Sequence, residues 1–304
     1  MIYHDVIIVG AGPGGIKAAL ELKKNDIDFI IMDYGAPGGK INIAPRVDNY
    51  LEYPKISGPD LAMNLFMKLM DNDISIVGEK ILSISKEDDK FIVKSDYNLY
   101  QSKVVLLASG CQEKELNLPN EKEMFAHGLS YCALCDGHFF KNQDVAVIGG
   151  GNAAFTEAAY LASICKRVYL IHRRKEYRAV PKKINDLKAF DNVTYLTPYI
   201  CISINGKDKL ESITIKNVET NELEELKING LFPLIGQNPN TDFIDIDNVI
   251  DSYRFVPVDE NMMSSCKGLF AIGDVLPRVV KQIFLAEKDA LKAVESIKEY
   301  LNEN

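Results

Sequence analysis

Two stretches of the chain carry the same pattern of apolar and polar positions. Residues 5–33, DVIIVGAGPGGIKAALELKKNDIDFIIMD, begin with a continuous apolar run and pass through glycines spaced Gly10-x-Gly12-x-x-Gly15. Apolar residues at helical spacing follow (Ile16, Ala19, Leu20, Leu22), and a second apolar run ends at Asp33. A short apolar run suits a strand covered on both faces, and the spacing after it suits a helix, so the stretch predicts strand, helix, strand. Residues 144–174 repeat it, with Gly149-x-Gly151-x-x-Ala154, a helix through Phe155, Ala158, Ala159 and Leu161, and an apolar run ending at His172. Each unit is followed by polar, alternating residues, about 88–110 and 210–236, that predict an antiparallel meander closing on an apolar strand and a glycine. The charged stretch 113–127 and GQNPNTD from Gly236 read as connections. Then come an apolar strand, GLFAIGDV, which delivers Asp274 at its end, and a helix from about residue 279.

The glycines give this pattern its chemistry. They permit a tight turn and let backbone N–H groups approach a pyrophosphate at the positive start of a helix, while an acid about twenty residues on accepts ribose hydroxyls. Gly10, Gly12, Gly15 and Asp33 meet those requirements. In the second unit the same count of positions ends on His172, followed by Arg173, Arg174 and later Arg178. Guanidinium forks pair with phosphate oxygens, so this site suits a 2′-phosphate, and the implied ligand is NADPH. Asp274, at the carboxyl end of its strand, reads either as a ligand contact or as the cap of the helix that follows.

Size and charge narrow the class. A chain of 304 residues is long enough for two compact domains, and 47% hydrophobic with 26% charged residues is ordinary globular composition. A net charge of −8 offers no broad basic face for nucleic acid. No apolar stretch is long enough to span a membrane, and no leader pattern precedes the first strand, so the reading is cytoplasmic. In a reducing compartment Cys111, Cys165, Cys201 and Cys266, scattered among apolar neighbours, read as buried thiols.

Cys132 and Cys135 are different, lying two residues apart in YCALCDGHFF. A zinc site needs four ligands, and only His138 and His127 stand nearby. A plain turn at Asp136–Gly137 is compatible with the residues. A redox couple fits best beside two nucleotide turns, because hydride delivers two electrons and a disulfide accepts two. Such a pair wants a helix start or a nearby charge to lower a thiol pKa, and Asp136 suits a proton donor and acceptor.

Taken in order, the Gly10 turn, PGGK at 37–40, Asn49, CALCDG, GGGNAAFTEA, HRRKEYR, GQNPNT and GLFAIGDV resemble the low-molecular-weight thioredoxin reductase family almost end to end. The resemblance implies an α/β fold with two Rossmann-like domains. FAD would lie in a discontinuous domain, residues 1–114 and 238–304, and an NADPH domain, 115–237, carrying the cysteines would be inserted into it. It implies a homodimer, a thioredoxin partner, Cys135 nearest the flavin and Cys132 attacking the partner disulfide.

By the same resemblance, Gly10, Gly12, Pro13, Gly14, Gly15 and Asp33 match the FAD pyrophosphate and ribose site. Gly39, Lys40 and Asn49, with Gly273, Asp274, Lys281 and Gln282, match the rest of the FAD contacts. Gly149, Gly151, Asn152, Ala154, Glu157, His172, Arg173, Arg174 and Arg178 match the NADPH positions. The chain departs from the family at Lys40, at Lys281, at His138 and at Glu287–Lys288, which bears on the charge beside the flavin and on the face that meets thioredoxin. Because the cysteines fall in the NADPH segment while the flavin residues fall in the other, a hinge at the two connections is expected. Rival readings are the same scaffold with a ferredoxin donor or a peroxidase partner, and a flavin-binding redox sensor without turnover.

Overall fold

The structure is a computed structural model that describes residues 1–303. The chain divides into two units, Met1–Gln112 with the return segment from Asn238, and Glu113–Gln237.

In the first unit, β1 (Ile2–Val9), α1 (Pro13–Lys24) and β2 (Phe29–Met32) form the expected strand, helix and strand. After α2 (Gly58–Met70) come β3 (Ile76–Val77), β4 (Ile81–Glu87), β5 (Lys90–Ser95) and β6 (Leu99–Leu107). The sheet runs β3-β2-β1-β6-β5-β4. β6 serves two purposes: its first half pairs antiparallel with β5, and from Tyr100 to Leu107 it pairs parallel with β1. Val6 to Val9 are buried because β1 is central, with helices on one face.

The chain crosses into the second unit along β7 (Cys111–Glu113) and continues through α3 (Glu121–Met124) and α4 (Ala133–Asp136). Next are β8 (Asp144–Ile148), α5 (Asn152–Ile164), β9 (Arg167–Ile171), α6 (Pro181–Lys188) and β10 (Val193–Leu196). The meander is β11 (Tyr199–Asn205), β12 (Ser212–Asn217) and β13 (Leu223–Lys227), and β14 (Gly230–Pro233) closes the unit. The parallel sheet runs β10-β9-β8-β14, the same neighbour plan as β3-β2-β1-β6, but here the meander forms a sheet of its own. Phe155, Ala158 and Leu161 of α5 share a core with Val145 and Val147 of β8 and Val168 and Leu170 of β9.

The chain returns through β15 (Gln237–Pro239), which pairs with β7, to β16 (Leu269–Ala271) and α7 (Ile283–Glu303). β16 adds to the far half of β6, and α7 shares a core with α1. The last helix starts at Ile283, four residues later than the sequence predicts, because residues 276–282 remain in a loop that places Lys281 and Gln282. No helix among the described residues is long and apolar enough to cross a membrane.

Candidate redox and nucleotide sites

At the end of β1 the backbone turns through Gly10, whose φ is +106°; any Cβ there would collide with the Ala108 carbonyl, so the turn requires glycine. The Ala11 N–H donates to Asp33 Oδ2 at 2.7 Å and the Gly35 N–H to Oδ1 at 2.8 Å, which locks the carboxylate at the mouth of the turn. Gly12 caps α1, no acidic residue stands in the first helical turn, and a Cβ built on Gly12 meets nothing within 4 Å. That leaves an open cradle of N–H groups at a positive helix end, suited to a pyrophosphate.

Distant segments converge on this cradle. The Gly38 N–H donates to the Ala11 carbonyl at 2.7 Å, and a Cβ on Gly39 would lie 3.5 Å from Gly12 Cα. Lys40 Nζ lies 3.5 Å from Asp274 Oδ2 and 3.6 Å from Cys111 Sγ. Asn49 Nδ2 donates to Gln282 Oε1 at 2.7 Å. Lys281 Nζ donates to the carbonyls of Asp274 and Leu276 and sits over the Phe255 ring. Asp274 opens a short turn, Gly273–Val275, nine residues before α7, so the helix-cap reading of Asp274 is wrong. Among the departures, Glu287 accepts from the Tyr50 hydroxyl at 2.7 Å, and burial raises its pKa. The Glu287 charge is thus met by a phenol.

The second cradle has Gly151 as the cap of α5, again with nothing within 4 Å of a Cβ. Ala154 replaces the third glycine, and its Cβ would lie 2.8 Å from one on Gly149, so a small residue is needed there. The N–H groups of Arg178 and Ala179 both donate to the Gly150 carbonyl, at 2.8 and 3.1 Å, and Asn152 Oδ1 accepts from the Val180 N–H at 2.9 Å. The basic loop is thereby tied back to the glycine turn. Arg173, Arg174 and Arg178 are exposed beside it. His172 is buried, its ring so close to Gly150 that a Cβ would fall 2.5 Å from it, and its Nε2 has no hydrogen-bond partner. Burial lowers the His172 pKa, opposed by a hydrogen bond to the Glu176 backbone and assisted by the charges of Arg178, Arg173 and Arg174. A buried, unpaired ring nitrogen beside an open cradle and three guanidinium groups fits a phosphorylated dinucleotide.

Cys132 and Cys135 are joined by a disulfide, the bond that a redox couple requires. Cys132 is the N-cap of α4, and its Sγ accepts from the Cys135 N–H at 3.2 Å. This N–H at a helix start favours a thiolate on Cys132 once the bond opens. Ser130 Oγ donates to Asp136 Oδ2 at 2.5 Å and accepts from the Cys132 N–H at 3.1 Å, so one hydroxyl holds both the acid and the first cysteine. Glu157, matched in sequence to the NADPH positions, has a contact of its own in the cysteine turn: its Oε2 accepts from the Ala133 N–H at 2.6 Å. His138 and Phe139 stand exposed just beyond, rings 3.9 Å apart.

The other four cysteines take no part in a disulfide; Cys111 and Cys165 are buried, whereas Cys201 and Cys266 are only partly so, short of the full burial the sequence predicts. Both reach partial exposure on irregular ground, a β-bulge at Cys201 and a loop at Cys266. Sequence reasoning also missed Ser130 and the Tyr50–Glu287 pair. A serine two residues before a cysteine is a known way to close a local turn, so Ser130 was open to detection; a contact spanning 237 residues was not.

The profile of the pyridine nucleotide-disulphide oxidoreductase family matches residues 4–290. The chain is 36% identical over 302 residues to a thioredoxin reductase of Mycoplasma pneumoniae, covering 99% of this chain and 96% of that one. It is 35% identical to one from Helicobacter pylori, with 98% of each covered. Among solved structures it superposes on a thioredoxin reductase from Streptococcus pyogenes with a TM-score of 0.91 at 34% identity, covering 99% of both chains.

Proposed function

The chain belongs to the pyridine nucleotide-disulphide oxidoreductase family, and from that premise we propose that it is a thioredoxin reductase, using NADPH and FAD to reduce the disulfide of a thioredoxin. The observation that carries this reading is the Cys132–Cys135 disulfide at a helix start, with Asp136 held beside it, in the unit that also carries the arginine-flanked glycine turn. When bound, the flavin relays two electrons from NADPH to the disulfide.

The residues of the chain do the rest. The first cradle and Asp33 hold FAD, with Gly39, Lys40, Asn49, Gly273, Asp274, Lys281 and Gln282 around it; Gly149, Gly151, Ala154, His172 and the three arginines hold NADPH. Cys132, as a thiolate at the helix start, attacks one sulfur of the thioredoxin disulfide and releases the other as a thiolate, which takes up a proton. The Cys135 thiol gives its proton to Asp136 and attacks Cys132 Sγ, which reforms the internal disulfide and frees reduced thioredoxin. Ser130 keeps Asp136 in place for this transfer.

The flavin residues lie in one unit and the cysteines in the other, and the chain crosses between them only near β7 and β15. Rotation at those crossings lets the dithiol serve both flavin and thioredoxin. Four remaining thiols accord with a reducing, cytoplasmic compartment. The exposed Met63, Met67 and Met70, on one stripe of α2, are the face on which a homodimer would close. Anaerobic titration of the FAD-loaded protein with NADPH and then oxidised thioredoxin, followed by flavin absorbance, tests the function. Bleaching by NADPH and recovery with thioredoxin is the expected course; bleaching without recovery refutes the partner.

A further inference from the structure

A single carboxylate on the nucleotide helix turns into the redox turn. Glu157 lies in the second turn of α5, is 8% exposed, and accepts the N–H of Ala133, the fully buried residue that follows Cys132. The start of α4 therefore divides its donors: Ala133 serves the Glu157 carboxyl, while Cys135 serves the Cys132 sulfur.

We propose that Glu157 is a positioning residue for the Cys132/Cys135 couple, fixing the peptide between the sulfurs and trading its own proton against the negative charge on Cys132. The proposal rests on the reading of this pair as the redox site. Two anions served by one short row of N–H groups, the carboxyl buried and the sulfur part-buried, repel. A carboxylate at Glu157 thus disfavours a thiolate at Cys132, and a proton on Glu157 favours it. Starting from the disulfide and an ionised Glu157, reduction with two electrons and two protons then leaves Cys135 as a thiol, Cys132 as a thiolate and Glu157 as a carboxylic acid. The electrons come from NADPH and the protons from solvent.

The surroundings keep this proton within reach of neutral pH. Burial raises the Glu157 pKa to about 7; the Ala133 N–H opposes the rise, Glu113 on β7 adds to it by like charge, and the Leu134 N–H again opposes it. On α4 the titratable groups are the two cysteines and Asp136. α6 packs toward α5 through Ile184 and Leu187 with Lys182 and Asp186 exposed, β8 and β9 present valines and leucine, and the turn after α4 carries His138 exposed.

The test is the alkylation rate of Cys132 against pH from 5.5 to 9.5, in the full-length, FAD-loaded protein, reduced and desalted anaerobically, with the adduct located by peptide mass spectrometry. The unmodified protein should show two inflections, one near neutral pH from Glu157 and one from the thiol. Glu157→Gln keeps an acceptor for the Ala133 N–H but has no proton to trade, so it should show one inflection and alkylate about three- to tenfold faster at pH 8, where the native carboxylate is ionised. Glu157→Ala should also lose the neutral inflection, with slower disulfide exchange because the turn is no longer held. A profile identical in the native protein and Glu157→Gln overturns the proposal. Alkylation requires no thioredoxin, so a failure of the partner assignment leaves this measurement intact.

Discussion

Where β2 ends, a carboxylate turns toward the glycine loop; where β9 ends, an imidazole does. The two units share their strand order and their glycine turns, yet Asp33 satisfies two backbone N–H groups while His172 packs its ring on Gly150 and leaves Nε2 without a partner. The first turn is complete in itself and offers acceptor oxygens. The second is closed by a ring, with arginines waiting outside. One scaffold thus carries two glycine turns of different charge, and the difference rests on the residues at one strand end rather than on the fold. The other difference is what each unit adds: the first builds its meander onto the main sheet, whereas the second separates it and carries α4 with the disulfide.

The harshest way to break this comparison is to remove the disulfide that only the second unit carries. Cys132→Ser and Cys135→Ser should each bring thioredoxin reduction to background while leaving FAD and NADPH binding in place, because neither sulfur belongs to a cradle. In Cys135→Ser the remaining Cys132 lacks its resolving partner, so a mixed disulfide with thioredoxin should accumulate and be visible by mass spectrometry. An adduct that forms only through Cys135, in the reciprocal variant, reverses the order of attack.

Next in size is the charge difference between the strand ends. Arg173→Ala with Arg174→Ala should cost about 1.5 to 3 kcal/mol for each lost phosphate contact, or about 10²- to 10⁴-fold in NADPH affinity for the pair. NADH, which lacks that phosphate, should bind nearly as before. Equal losses for both nucleotides, measured by titration, would remove the phosphate assignment and with it the contrast between the units.

Much of this contrast is legible in the sequence because it is local. The turn, the helix and the terminal acid or base of each unit lie within 23 residues, and each is dictated by a short-range requirement: a positive φ at Gly10, helix spacing, a side chain at a strand end. What was not legible depends on contacts across the chain. Glu157 sits in the nucleotide motif and matches its pattern, but only the packing of α4 on α5 reveals that its oxygen meets Ala133. Asp274 has the local signature of a helix cap, and the loop before Ile283 removes the helix from its reach. Lys40, Lys281 and Glu287 look like disruptions until the Asp274 carboxylate, the carbonyls of Asp274 and Leu276, and the Tyr50 hydroxyl are seen to partner them.

A third measurement asks whether the second unit holds a proton on its buried carboxyl. The Glu157 pKa is raised from 4.5 to about 7 in the folded protein, so the folded state holds its proton more tightly than the unfolded chain. Its contribution to stability is present below pH 4.5 and is lost as pH rises through about 7, a change of at most about 3 kcal/mol. Glu157→Gln should lack that decline. Chemical denaturation at pH 5 and pH 8 measures it, and the fall in stability between the two should be smaller in the variant; an equal fall would mean that the carboxylate is stabilised in the fold and the proton is not held there.

The smallest effect belongs to the first unit, at Lys40 beside Asp274. Lys40 Nζ is 3.5 Å from the Asp274 carboxylate, but the two side chains are 40% and 25% exposed, so water screens the pair and holding a long side chain in one geometry offsets part of the attraction. Lys40→Gln should therefore cost less than about 1 kcal/mol of stability, measured without cofactor so that the ion pair alone is read. A loss several times larger would mean that the first unit, like the second, depends on a charge inside its site, and the division between a self-completed cradle and a charge-trading one would fail at Lys40.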